Sequence, residues 1–285
     1  MGLSKEQVAR YSRQLILPEI GVAGQQRLRN ASVLVIGVGG LGCPAALYLA
    51  AAGVGRLGLI DRETVALSNL HRQVLHTTDD VGRPKSQSAR ARLVALNPEV
   101  TIVPMQESLT AENARQLIGP YDLVLDGADN FPTRYLVNDT CVRLGKPFVH
   151  GGVIHFRGQV MAVLPRRSAC FRCVFPEPPS AGAIPSCQEA GVVGTVAGLL
   201  GTLMAHEALK LLLGVGEPLV NRLLTFEGCA SRFREVPVRR DPGCAACGDV
   251  RPVSGAVEEQ LNCQRVPDTG NQEGKTEEEP WRGSR

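Results

Sequence analysis

Residues 32–61 read SVLVIGVGGLGCPAALYLAAAGVGRLGLID, a passage that leaves a chain few choices of fold. Positions 33–36 are a continuous apolar run that stops at Gly37, as a strand buried on both faces does. Positions 41–52 read as a helix, and 57–60 as a second apolar strand ending on an acid, Asp61. The glycines between strand and helix have separate duties. Gly37 permits a tight turn, Gly39 lets the backbone approach a phosphate, and Gly42 lets the helix pack on the strand. The helix N-terminus adds its dipole and free N–H groups. Asp61, 19 residues past Gly42, stands where a carboxylate accepts hydrogen bonds from ribose hydroxyls. The bland alternative is a tight turn beside a surface acid. The full order of strand, turn, helix, strand and acid favours a nucleotide site, without saying which nucleotide or what happens to it.

The same grammar continues. Positions 84–96, 111–118 and 132–144 read as helices, alternating with strands at 101–103, 123–125 and 148–150. Ahead of them, Ser4-Lys5-Glu6-Gln7 has the form of a capping box, predicting a helix from Lys5 with Val8 and Tyr11 on one face. After position 150 the pattern changes to strands at 159–164, 223–227 and 233–238 around a long apolar helix at 195–213. The expected fold is α/β: a doubly wound, Rossmann-like, mostly parallel sheet with a C-terminal antiparallel extension and a four-cysteine zinc knuckle. The expected organisation is an N-terminal helical segment (1–30), a Rossmann-like nucleotide-binding core (31–165), and a region of crossover loop, long helix, strands and zinc site (166–249). A disordered tail (250–285), polar and almost without aromatics, completes it.

A net charge of +3, with scattered cations, argues against a nucleic-acid partner. No uncharged apolar run reaches the roughly 18 residues of a membrane span, and His206, Glu207 and Lys210 mark the long helix as core. The N-terminus lacks an apolar signal core, so the expected compartment is the cytoplasm. Nine cysteines, an odd number with two C-x-x-C pairs, agree with a reducing environment.

The stretch SNLHRQVLHTTDDVGRPK bears on which nucleotide is bound. Arg72 offers a planar fork for phosphate oxygens and Lys85 a compact charge, while Asn69 and Gln73 can hydrogen-bond phosphate or substrate. A triphosphate needs such cations as pyrophosphate departs; a solvated loop carries them equally well. DGADN follows the fourth strand, so Asp126 and Asp129 are expected near the phosphates, where Asp129 can hold Mg²⁺. Either Asp129 or Asn130 can instead cap the next helix. Cys170, Cys173, Cys244 and Cys247 suit a closed tetrahedral zinc site, with a redox pair or plain buried thiols as the alternatives. Cys43 and Cys141 read as core thiols.

RYSRQLILPEIG, the glycine passage, SNLHRQVLH, GRPK, DGADN, CFRC, SCQEAGV and DPGCAACG occur in that order. Together they resemble the MoeB/ThiF/HesA family, relatives of the ubiquitin-activating enzymes, from about Ser4 to Gly248, and most of all its molybdopterin-synthase adenylyltransferase branch. The resemblance implies that ATP adenylates the C-terminal glycine of a ubiquitin-fold sulfur carrier ending in Gly-Gly, releasing pyrophosphate. It places Gly39 and Gly40 in the ATP loop, Asp61 on the ribose, and Asn69, Arg72 and Lys85 on the phosphates. Asp129 takes the magnesium role, and Arg13 that of an arginine contributed across a homodimer interface. Cys187 matches a cysteine that links covalently to the carrier in some sulfur-transferring relatives; a structural role is equally open. Longer relatives carry a rhodanese domain after the second cysteine pair, so a separate sulfur donor is expected here. An adenylating relative acting on a tRNA or peptide carboxylate, and a non-catalytic nucleotide-binding adaptor for ubiquitin-fold proteins, are the alternatives.

Overall fold

The computed structural model describes residues 2–179 and 190–249; Cys187 and the expected tail at 250–285 lie outside the described residues. Ser4 and Gln7 exchange the two hydrogen bonds of a capping box and start α1 (Lys5–Arg10). Val8 and Tyr11 do not share a buried face. The helix stops at Arg10, so Tyr11 turns inward as its cap residue, while Val8 stays 47% exposed. The Tyr11 hydroxyl accepts the Asn97 amide at 2.9 Å, tying this segment to the core. Two more helices, α2 (Ser12–Leu15) and α3 (Gly21–Asn30), lead to the sheet.

The core runs β1 (Ser32–Ile36), α4 (Gly42–Ala52), β2 (Arg56–Ile60), α5 (Lys85–Leu96), β3 (Thr101–Met105), α6 (Ala114–Ile118), β4 (Leu123–Asp126), α7 (Phe131–Leu144) and β5 (Phe148–Ile154). Then come β6 (Arg157–Val163), α8 (Phe171–Val174), α9 (Gly194–Leu213), β7 (Arg222–Glu227) and β8 (Arg232–Pro237). One eight-stranded sheet results, ordered β3-β2-β1-β4-β5-β6-β7-β8. It is parallel from β3 to β5 and antiparallel from β5 to β8. The expected parallel core and antiparallel extension are therefore a single sheet.

Several boundaries differ from expectation by a few residues, and two of the differences have an identifiable cause. α6 starts at Ala114 because the Asn113 side chain accepts the Thr110 N–H at 2.7 Å and holds a turn ahead of the helix. β5 runs to Ile154 because β6 pairs with its whole length. Alternation along β1 then divides the core. Val33 and Val35 face Leu49, Leu200 and Met204, while Leu34 and Ile36 face Leu136, Val137 and Phe148. α9 has the length and hydropathy of a membrane span, yet it packs on β5, β6 and α4. Its Glu207 is buried, accepts the Leu219 N–H at 2.7 Å and pairs with Lys210.

Candidate nucleotide site and cysteine cluster

Strand progression reverses between β1 and β4, and at such a point the carboxyl ends of open parallel sheets leave a crevice. A cleft of about 370 Å³ lies there. Gly37 takes φ +84°, and a Cβ on it would stand 2.8 Å from the Gly127 carbonyl oxygen. A Cβ on Gly42 would overlap the carbonyl of Gly37. The glycine loop and the DGAD turn thus touch backbone to backbone, and side chains are excluded for steric reasons.

Gly37, Gly39 and Gly40 line the cleft; Gly42 packs behind them. Asp61 lines it too, accepting the N–H groups of Val38 and Glu63, each at 2.9 Å. Burial pushes its carboxyl above the ordinary value, against the Glu63 N–H, Lys85 and the Val38 N–H, which favour the anion. Lys85 is only 3% exposed: it heads α5 in the cleft wall with Nζ 2.5 Å from Glu63 Oε2, which sets aside the solvated-loop reading for this cation. Arg72 donates to the Ser68 carbonyl at 2.9 Å, and the Asn69 side chain accepts the Ala66 N–H at 3.0 Å; both line the cleft. Gln73 lines it as well, buried, with Oε1 unpartnered.

The DGADN stretch separates into three roles. Asn130 is the cap of α7, accepting the Thr133 N–H at 2.9 Å. Asp129 is exposed in the cleft, and its Oδ1 accepts the Asn130 amide at 3.2 Å. Asp126 corrects the expectation that it emerges near the phosphates. It is 1% exposed, absent from the cleft lining, and bonded to His150 Nδ1 at 2.8 Å. Arg13 is exposed on α2 and does not line the cleft of its own chain.

Among the lining residues that escaped the sequence reading are two charged ones, Glu63 and Arg134. Arg134 Nε donates to the Ala128 carbonyl at 3.1 Å. Its position one helical turn after the Asn130 cap was the available signal. Behind the glycine loop, burial pushes the Cys43 thiol up to about 12, so it remains a protonated core group, donating to the Val38 carbonyl.

A second concavity, about 830 Å³, shares Asp129, Arg134 and Val153 with the cleft. It runs past Phe131, Phe175 and Pro176 toward Arg157, Arg232 and Arg234 on the antiparallel strands. Nearby, the Sγ atoms of Cys170, Cys173, Cys244 and Cys247 all lie within 4.8 Å of one another. Cys173–Cys247 and Cys170–Cys244 are 3.4 and 3.7 Å apart, and none is in a disulfide. Zn–S bonds of ~2.3 Å in a tetrahedron put sulfurs about 3.8 Å apart, so the cluster can hold such a metal.

A glycine loop, an acid at the end of β2 and a cationic wall at the switch point define a Rossmann-like α/β fold with a candidate nucleotide cleft. Residues 11–246 match the ThiF family, and the chain belongs to it. It is 53% identical over 254 residues to the sulfur carrier protein adenylyltransferase of Thermus thermophilus, covering 87% of this chain and 94% of that one. It is 50% identical over 248 residues to the adenylyltransferase and sulfurtransferase MOCS3 of Sus scrofa, covering 87% of this chain and 54% of that one. With the probable adenylyltransferase/sulfurtransferase MoeZ of Mycobacterium tuberculosis, the identity is 49% and the coverage 84% and 62%. The chain thus spans less than two thirds of the latter two. Among solved structures, E. coli MccB with ATP superposes with a TM-score of 0.72 at 25% identity, covering 84% of this chain and 74% of that one.

Proposed function

We propose that this protein adenylates the C-terminal carboxylate of a ubiquitin-fold sulfur carrier ending in Gly-Gly, in molybdenum cofactor or related sulfur-transfer biosynthesis. A carboxylate oxygen attacks the α-phosphorus of ATP, the bond from that phosphorus to the bridging oxygen breaks, and pyrophosphate leaves. The acyl adenylate so formed carries a carbonyl that a sulfur nucleophile can attack. The observation that carries this reading is the cationic cleft that shares Asp129 and Arg134 with a second, larger groove of about 830 Å³, in which a carrier's C-terminal tail would lie. The names of the relatives agree with it.

In this reading the glycine loop cradles the phosphates, Asp61 holds the ribose, and Asn69, Gln73, Arg72 and Lys85 bind phosphate oxygens. Charge on the departing pyrophosphate is met by Arg72 and Lys85. Asp129 is the residue that would hold Mg²⁺, which would neutralise phosphate charge. The four-cysteine cluster would hold Zn²⁺ in a structural role, clamping the 241–249 segment to α8. Cys187 we keep as a candidate for sulfur handling. The compartment we assign is the cytoplasm, in keeping with seven free described cysteines.

The test is ATP–pyrophosphate exchange with purified carriers ending in Gly-Gly. Label should pass between pyrophosphate and ATP only when carrier and Mg²⁺ are both present. Exchange that ignores the carrier's terminal glycine, or an absolute need for NAD, would overturn the reading.

A further inference from the structure

Asp126 and His150 stand opposite one another in the register of β4 and β5, the only stretch where these two neighbouring strands both carry a buried ionisable side chain. Both side chains are enclosed, at 1% and 0% exposure. A buried carboxylate is costly unless hydrogen-bonded, and an apolar pair would fill the same space without that cost. What the polar pair adds is direction. Asp126 Oδ2 accepts a hydrogen bond from His150 Nδ1–H at 2.8 Å, and Oδ1 accepts the Ala128 N–H at 3.2 Å. The carbonyl of Ala128 is held in turn by Arg134 Nε at 3.1 Å. One residue earlier, the Gly127 N–H is bound to the Ile36 carbonyl at 3.0 Å.

Both polar groups of Ala128 are therefore tied down, and the next residue is Asp129, at the seam of cleft and groove. The imidazole is itself held in place by Phe171, whose ring centroid is 4.6 Å away. Burial pushes its pKa down while Asp126 pulls it up, and the lowering wins. The neutral tautomer with hydrogen on Nδ1 is the one that serves Asp126, which leaves Nε2 without a partner.

We propose that His150 is a positioning residue for adenylation: acting through Asp126, it orients the Ala128–Asp129 peptide so that the Asp129 carboxylate faces the nucleotide phosphates. The inference rests on the adenylation reading above. It assigns a task to two side chains that never touch the substrate. Misplacing a group by about 1 Å can cost on the order of a hundredfold in rate, so the effect is measurable.

The experiment compares His150→Leu, His150→Asn and His150→Gln in carrier-dependent pyrophosphate exchange, with Mg²⁺ titrated at saturating ATP. The Asn amide reaches the position of Nδ1; the Gln amide reaches that of Nε2. Leu and Gln should lower kcat by about 10- to 100-fold and raise the Mg²⁺ needed for half-maximal rate, with KM for ATP within roughly threefold. Asn should recover most of the rate. Wild-type kcat and Mg²⁺ dependence in a folded Leu variant would overturn the proposal. So would equal loss in Asn and Gln, a comparison that decides the matter even if the Leu variant does not fold. If the wild-type protein exchanges nothing with any carrier, it is the adenylation reading that fails. Mg²⁺-dependent ATP binding by the Asn and Gln variants then decides the positioning proposal: weaker binding for Gln alone supports it, and equal binding overturns it.

Discussion

At Asp129 and Asn130, adjacent side chains have been given unrelated work by geometry. Asn130 satisfies the free Thr133 N–H of α7, whereas Asp129 caps nothing and faces the cleft. Asn130→Ala should therefore lower stability by about 1 kcal/mol and leave much of the exchange activity. Asp129→Ala should abolish exchange with an unchanged melting temperature, and measuring both properties on both variants checks the split. A second residue-scale prediction concerns acid. Asp80 is buried, and burial alone would raise its carboxyl; the Thr77 N–H and hydroxyl, Ser88 and Arg83 outweigh that and hold it below the ordinary value. A carboxyl depressed in the folded state contributes stability above its unfolded pKa of about 3.9, and that contribution is lost as pH falls through the folded value. Asp80→Asn should lower neutral-pH stability by about 1–3 kcal/mol and flatten the fall in stability below about pH 4. Denaturant melts across pH 3–7 show whether the two curves converge at the acid end.

Among the elements, the four-cysteine cluster joins a single-turn helix to an irregular segment. α8 is four residues long, and 241–249 has no regular secondary structure, so neither holds its place by backbone pairing alone. A metal at the cluster would supply the missing restraint. Elemental analysis should find one zinc per chain. Chelation or Cys244→Ser should lower the melting temperature by roughly 5 °C or more, a larger proportional effect than on carrier-independent ATP binding. Active, stable protein free of metal would count against a structural zinc.

For the whole molecule, the N-terminal segment poses the question of a second copy. Ile16 is 71% and Val22 53% exposed beside the exposed Arg13, while Tyr11 and Asn97 keep the segment anchored. An anchored surface carrying apolar groups and a cation outside its own cleft suits a homodimer in which Arg13 serves the partner's site. Arg13→Ala should then reduce turnover by roughly a hundredfold or more while weakening ATP binding less. Mixing Arg13→Ala with Asp129→Ala subunits should restore activity, because one composite site per mixed dimer keeps both residues. No rescue after confirmed subunit exchange, or a fully active monomer, would reject the shared site.

Features whose cause is local could be read from the chain alone. Strand, glycine turn and helix follow from apolar runs and steric limits within 30 residues, and each C-x-x-C pair announces itself by its spacing. Lys85, Arg72 and Asp61 could be nominated because they follow the loop closely. Periodicity reports that a face is buried, but not which distant element covers it. Sheet order therefore decided what the spacing could not. Pairing of β4 with β5 turned Asp126 away from the cleft and onto His150, 24 residues on. The packing of Glu63 on α5 made Lys85 a wall residue, and antiparallel strands from beyond position 150 opened the groove beside Asp129. Those contacts depend on register between separate strands, which hydrogen bonding and close packing select only once the whole sheet has assembled.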